Sequence, residues 1–347
     1  MDRQRAIQRL MYVLGIDTSC DDTSVAILDS ESGSVLAEHV SSQVELHSIY
    51  GGVVPEIAAR KHLEYIIPMI EKALDSAGIA PDPGVIDLVA ATRGPGLIGG
   101  LLIGFSAAKA LSLGWEIPFV GVNHINGHLV SAELDHGGLP YPHIALVISG
   151  GHSELYKAES PIKYSLIGQT RDDAVGELLD KVGRLLDLPF PSGPIIDKWA
   201  VNLPQLSPRP EFPRPLLSDE VLEFSFSGLK TACLYFLRSD EAKKFSRESI
   251  GSEVLYAAVD CLLGKSFEAC KKFGLNYLVI SGGVAASEYL RKTASQLGAR
   301  EGLDIVFPSR KHCTDNGSMI ALAGHYKFTG FGADPYDLDC DASLDVN

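Results

Sequence analysis

Residues 12–28 read YVLGIDTSCDDTSVAIL: an apolar run, a polar and acidic turn, and a second apolar run. Short apolar runs bounded by turn residues read as β-strands. Strands are therefore expected over 12–16 and 23–28, with a third over 35–41. The pattern restarts at residue 143, with strands over 143–148, 153–157 and 164–168 around a Gly-rich turn. Helical spacing and further buried strands follow each meander. In the first half these are helix 55–77, strand 86–91, a helix from G-P-G-L-I-G-G to residue 113, strand 119–122 and helix 124–134. In the second half they are helices 172–186, 228–238 and 249–273, strand 277–280, a helix to residue 297, strand 305–307 and a last helix over 315–328. Residues 189–224 carry eight of the 19 prolines and read as irregular. An order of elements that occurs twice predicts an α/β fold of two similar lobes on mixed sheets, with a ligand cleft between them. The expected divisions are an N-terminal extension 1–11, a first lobe 12–137, a second lobe 138–330 with a helical, proline-rich insertion at 170–235, and an acidic, irregular tail 331–347.

Composition narrows the class. Hydrophobic residues form 46% of the 347, which supports a large core and excludes a disordered chain. The net charge of −14 argues against broad, nonspecific nucleic-acid binding. It leaves room for a local basic patch, and raises the chance that a partner supplies part of any such contact. The apolar run at 97–113 is cut by Gly99, Gly100, Gly104, Ser106 and Lys109, so it reads as a buried helix and no membrane span is expected. The opening MDRQRAIQRL is basic but holds no apolar run or cleavage site. It reads as a tail before the first strand, with a short organelle address as the alternative. Six scattered cysteines without a C-x-x-C pair indicate reduced thiols and a cytoplasmic setting.

Three Gly/Ser turns follow apolar strands: D-T-S at 17–19, S-G-G-H-S at 149–153 and S-G-G-V at 281–284. Such turns let backbone N–H groups approach phosphate oxygens without an intervening Cβ. One alone is equally well explained as turn geometry; three after buried strands favour a phosphate-bearing ligand. His124 and His128 form H-x-x-x-H, which puts both imidazoles on one helix face within reach of one metal ion. Chance pairs at this spacing are common. Ile125 stands where a zinc protease carries its general base, so that reading loses its base and a protease is the weakest option. Asp315, in C-T-D-N-G, is the candidate third ligand; two His and a carboxylate suit Fe(II) or Zn(II) with positions open for substrate. Asp21 and Asp22 can organise Mg²⁺, take a proton, or simply cap a turn. By spacing alone, Asp180 and Lys181 read as the solvated side of a charged helix.

These stretches, with G-G-V-V-P-E-I-A-A-R, D-K-V-G-R-L-L and F-S-F-S-G-L-K-T, make the chain resemble the transferase subunit of tRNA N6-threonylcarbamoyladenosine synthesis. That family, once called O-sialoglycoprotein endopeptidase, belongs to the actin/sugar-kinase/heat-shock ATPase superfamily, and the resemblance runs from about Tyr12 to Val346. It implies a two-lobed actin-like (ASKHA) fold with a nucleotide cleft between the lobes. It implies transfer of a threonylcarbamoyl group from threonylcarbamoyl-AMP to N6 of adenine 37 in tRNAs reading codons that begin with adenine. His124, His128 and Asp315 would hold iron or zinc, and Mg²⁺ can accompany the nucleotide. Ile148, Ser149, Gly150, Gly151 and His152 would line the phosphate and carbamate region. Asp180, Gly193 and Asp197 would surround the nucleoside, with Gly282, Gly283 and Ser287 beside the base. Asp21 or His152 would take the proton. Implied partners are a degenerate paralogue of the same fold and a small ATPase. The chain departs from the family in carrying Ser287 for Asn, Asp22 for Glu, Asn126 for Glu and Ser192 for Gly. An ATPase or sugar kinase of the same fold is the alternative activity; it would need Mg²⁺ but no helical bis-His site.

Overall fold

The computed structural model describes residues 11–79, 84–203 and 207–346. They form two compact units, residues 11–46, 53–79, 84–139 and 315–346 in one, and 47–52 with 140–203 and 207–314 in the other.

In the first unit, β1 (Tyr12–Asp17), β2 (Asp22–Asp29) and β3 (Ser34–Ser42) form the expected meander. The helix α1 (Val44–Ser48) straddles the division at residue 47, and α2 (Pro55–Ser76) follows in the first unit. Next come β4 (Leu88–Gly94), α3 (Ile98–Trp115), β5 (Phe119–Asn123), α4 (His124–Val130) and α5 (Glu133–His136). The sheet order is β3-β2-β1-β4-β5, antiparallel across the meander and parallel through β1, β4 and β5. Alternate residues face opposite sides of a strand. Leu14, Ile16, Val25, Ile27, Val89 and Ala91 share one core cluster with Ile66, Ile70 and Leu74 of α2 and Phe105 of α3. The opposite face packs against the last helix with small residues in contact: a Cβ on Gly15 would lie 2.1 Å from the Gly317 carbonyl oxygen, and one on Gly324 would lie 2.3 Å from Ala90 Cβ.

That helix is the main departure from the expected divisions. The sequence boundaries ran the second lobe to residue 330, whereas residues 315–346 group with the first sheet. The tail is tied down as well. Asp334 N–H donates to the Phe119 carbonyl, Asp341 N–H to that of Arg93, and Asn123 Nδ2 to those of Leu344 and Asp345. The α3 helix is buried on one face only: Gly100, Leu101, Gly104 and Phe105 face inward, while Ile98, Leu102 and Leu113 are exposed. By length and composition alone it is apolar enough to cross a membrane.

The second unit repeats the topology. Its strands are β6 (His143–Ile148), β7 (Ser153–Ser160), β8 (Lys163–Gln169), β9 (Tyr277–Ser281) and β10 (Asp304–Val306), in the order β10-β9-β6-β7-β8 with matching directions. The helices are α6 (Val175–Leu185), α7 (Gly193–Asn202), α8 (Ser227–Leu237), α9 (Arg247–Phe273), α10 (Glu288–Glu301) and α11 (Arg310–Cys313); α12 (Gly317–Phe331) returns to the first unit. The α6 helix starts three residues later than expected because Asp172 and Asp173 are used elsewhere. Asp172 accepts from the Ser225 and Ser227 hydroxyls and from the Phe226 and Ser227 N–H groups at the start of α8, and Asp173 pairs with Lys181 and Lys230. The α7 helix corrects the reading of 189–224 as wholly irregular. Its proline, Pro194, lies in the first turn, where no intrahelical N–H is needed.

Candidate functional site

In the first unit, Asn123 closes β5 and caps α4, its side-chain oxygen accepting from Ile125 N at 2.8 Å and Asn126 N at 3.3 Å. The cap starts a helix on which His124 and His128, one turn apart, present their rings edge to face with centroids 4.8 Å apart. Asp315 enters from the loop before α12. Its Oδ1 lies 3.4 Å from His124 Nε2 and 3.3 Å from His128 Nε2. Ligand atoms of the three residues lie within 4.8 Å of one another. Both imidazoles are buried, and His128 Nδ1 has no hydrogen-bond partner among the described residues.

Electrostatics bind the cluster together. Burial is the largest influence on His124 and pushes its pKa down; the Asp315 and Asp17 carboxylates overcome it and hold it well above the usual imidazole value. Burial likewise pushes Asp315 up, and His124 and His128 override it, holding that carboxyl well below its usual range. Cys20 is a poor nucleophile: burial, then Asp21, Asp315 and Asp22, push its thiol well up. Burial raises Asp22 to about 7 against the pull of the Ser42 hydroxyl. Asp21 is half-buried in the same turn.

The 17–19 turn has a role that sequence reasoning missed. Asp17, grouped there with the phosphate-type turns, is buried with its Oδ2 at 3.3 Å from His124 Nδ1. Ser19 Oγ lies 3.2 Å from the same nitrogen. No glycine follows Asp17, which was the available signal that this turn differs from the other two.

In the second unit, a cavity of about 440 Å³ takes Gly150, Asp180, Gly193, Asp197, Gly283 and Ser287 into its wall. These are six of the expected binding residues. Ile148 does not join them through its side chain, which is buried in the core; its carbonyl oxygen instead faces Gly282, where φ is +90° and a Cβ would lie 2.4 Å away. Gly150, Gly151 and Gly283 face open space. The N–H groups of Gly151 and His152 converge on Ser149 Oγ at 3.4 and 3.2 Å, and His152 Nδ1 lies 3.5 Å from that oxygen. Burial raises the Asp180 carboxyl against the Ser192 and Gly193 N–H groups and the Arg184 charge, so this residue is no solvated helix face. Asp197 accepts from Ser287 Oγ at 2.5 Å and from the Glu288 and Tyr289 N–H groups at the start of α10. Ser287 thus joins the cap of α10. Leu179, Leu255 and Arg310 also line the cavity but carry no motif that sequence reasoning could use.

Likeness to solved structures defines the class. Full-length HypF in its phosphate- and nucleotide-bound form aligns with a TM-score of 0.60 over 93% of this chain and 56% of that one, at 13% identity. Component A of (R)-2-hydroxyglutaryl-CoA dehydratase from Acidaminococcus fermentans aligns with a TM-score of 0.55 over 92% of this chain and 99% of that one, at 15% identity. With the repeated sheet topology, these place the protein among α/β, two-lobed, actin-like folds. The family model for TsaD, tRNA N6-adenosine threonylcarbamoyltransferase, matches residues 34–322. Proteins of that name from Kosmotoga olearia and Thermosipho africanus are 46% and 45% identical over 317 and 315 residues. Both matches cover 91% of this chain, and 93% and 94% of the respective relatives. The chain belongs to this family: it is a transferase that places the threonylcarbamoyl group on tRNA, forming N6-threonylcarbamoyladenosine.

Proposed function

We propose that the donor is threonylcarbamoyl-AMP, that the acceptor is N6 of adenine 37 in tRNAs reading codons that begin with adenine, and that His124, His128 and Asp315 hold one divalent iron or zinc ion during transfer. The observation that carries this reading is the convergence of those three ligand atoms within 4.8 Å. Two imidazole nitrogens and one carboxylate oxygen suit Fe(II) or Zn(II), and a buried His128 Nε2 that has no hydrogen-bond partner yet lies 3.3 Å from Asp315 Oδ1 fits a ligand better than a packing residue. When bound, such an ion supplies Lewis-acid polarisation of a carbonyl or phosphoryl oxygen. Mg²⁺, which prefers oxygen ligands, would arrive with the nucleotide phosphate.

The cavity of the second unit suits the adenylate. Leu179 and Leu255 offer apolar wall for a base, and Asp180 and Asp197 offer acceptors for ribose hydroxyls. The Gly151 and His152 N–H groups already aim at one oxygen, Ser149 Oγ, as they would at an anionic oxygen of the donor. In the reaction the N6–carbonyl bond forms, the bond from carbonyl to phosphate oxygen breaks, and AMP leaves with the electron pair. The amine proton passes to Asp21 or to His152. A degenerate paralogue and a small ATPase complete the assembly, and a separate enzyme makes the donor. A chain with net charge −14 gains from a partner that shares the tRNA contact.

Mass spectrometry of tRNA nucleosides tests the reading, with this chain, its partners, threonine, bicarbonate and ATP in one mixture. Modified adenine 37 is expected. The pair His124→Ala and His128→Ala should lower transfer at least ~100-fold. Full transfer by that variant in metal-free form would exclude a catalytic metal, and unmodified adenine 37 in the complete mixture would exclude the activity.

A further inference from the structure

We infer that Asp17 is a positioning residue that fixes the tautomer of His124, so that Nε2 presents its lone pair to a cation. The inference rests on the metal reading above and extends it to a residue outside the ligand set.

Asp17 ends β1 with its side chain buried. Its two oxygens have different surroundings. Oδ1 accepts from Ser19 N–H at 3.0 Å and from Thr92 Oγ1 at 2.8 Å, which ties the turn to β4. Oδ2 is buried without a hydrogen-bond partner and lies 3.3 Å from His124 Nδ1. A buried carboxylate oxygen left unpaired is costly, and this ring nitrogen lies close enough to relieve it.

His124 is bracketed, with Asp17 on Nδ1 and Asp315 on Nε2. A neutral imidazole carries one proton, so Nε2 can act as a ligand only when that proton sits on Nδ1. Two groups can receive an Nδ1 proton, Asp17 Oδ2 and Ser19 Oγ. A hydroxyl donates or accepts and so tolerates either tautomer. An ionised carboxylate only accepts, and therefore selects the Nδ1–H form. Carboxylates behind metal-binding imidazoles orient the ring and raise its basicity. His128 has no such group on its Nδ1 among the described residues, so this control acts on one imidazole of the two.

Asp17→Asn separates this role from support of the turn. The amide keeps an oxygen for Ser19 N–H and Thr92, but turns an NH₂ toward Nδ1, where donor meets donor. His124 then carries its proton on Nε2. Zn²⁺ affinity of the full chain, read by competition with a chromophoric chelator, should fall about 10–100-fold, and the visible absorption of the Co²⁺-loaded protein should change. Thr92→Val removes a hydroxyl from the other oxygen and should leave affinity within about threefold. Equal affinities and spectra for wild type and Asp17→Asn overturn the inference while the metal site stands. Equal Zn²⁺ binding by wild type and by the His124→Ala, His128→Ala pair overturns the metal reading and this one with it. Nitrogen-15 NMR of the histidine rings in Zn²⁺-loaded wild type reads the tautomer without any variant: Nδ1–H on His124 is expected, and Nε2–H overturns the inference.

Discussion

Gly176→Ala separates the shape of the donor turn from the stability of the protein. Gly176 is the second residue of α6, and its N–H donates to the Ser149 carbonyl at 3.3 Å. A Cβ there would lie 2.6 Å from that oxygen and 2.9 Å from Gly150 Cα. Ordinary contact begins at 3.4 Å, so the turn must retreat by about 0.8 Å. The atoms that must move are backbone, but the space beside the turn is open: a Cβ built on Gly150 or Gly151 meets nothing within 4 Å. Alanine also favours helix over glycine by up to about 1 kcal/mol, which offsets part of the strain. The melting temperature should therefore move by only about 3 °C. Transfer should suffer more, since misplacing a positioning group by about 1 Å can cost up to 10²-fold. We expect kcat/KM for the adenylate to fall about 10–100-fold, mostly through KM, in a chromatographic assay of modified nucleoside at subsaturating donor. Wild-type kinetics in a variant with an unchanged melting temperature would refute the assignment of the 149–152 turn to the donor. A drop beyond about 10 °C would refute the claim that the turn can yield.

Two further substitutions test the scaffold. Asp172→Ala removes the acceptor of four hydrogen bonds at the start of α8 and should cost about 1–2 kcal/mol, read as a lower melting temperature. Those bonds outweigh burial and hold the Asp172 carboxyl at about 2, below its ordinary 3.8. Its contribution is therefore present above about pH 4 and fades as the pH falls toward 2, so wild type and variant should converge in acid unfolding followed by circular dichroism. Asp334→Ala strips the acceptor from Gly121 N–H on the edge strand β5, at 2.8 Å, and from Lys327 Nζ, at 2.6 Å. A loss of about 2–3 kcal/mol is expected. Amide exchange at Gly121 should speed up, and unchanged protection there would show that the tail does not support the strand.

What could be read from the sequence follows the range of the forces that write it. The strands of both meanders and the helices between them were legible because alternation and helical spacing are local signals; the recurrence at residue 143 exposed the duplication. The α7 helix was hidden by prolines that lie at its start and beyond its end, where they do no harm. The start of α6 was misread because Asp172 and Asp173 spend their charge on α8, more than 50 residues away. The return of α12 to the first sheet depends on Gly15, Gly317 and Gly324 letting backbones touch, and nothing local to residue 317 names residue 15 as its neighbour. The same limit hid Asp17. His124 and His128 could be paired by helix geometry, since four residues make one turn. Asp17 reaches His124 only because β1 and β5 flank β4 in one sheet, with Asp17 at the end of β1 and His124 directly after β5. A one-dimensional pattern gives ligands that share a helix; it does not give the carboxylate that selects which nitrogen of a ligand is bare.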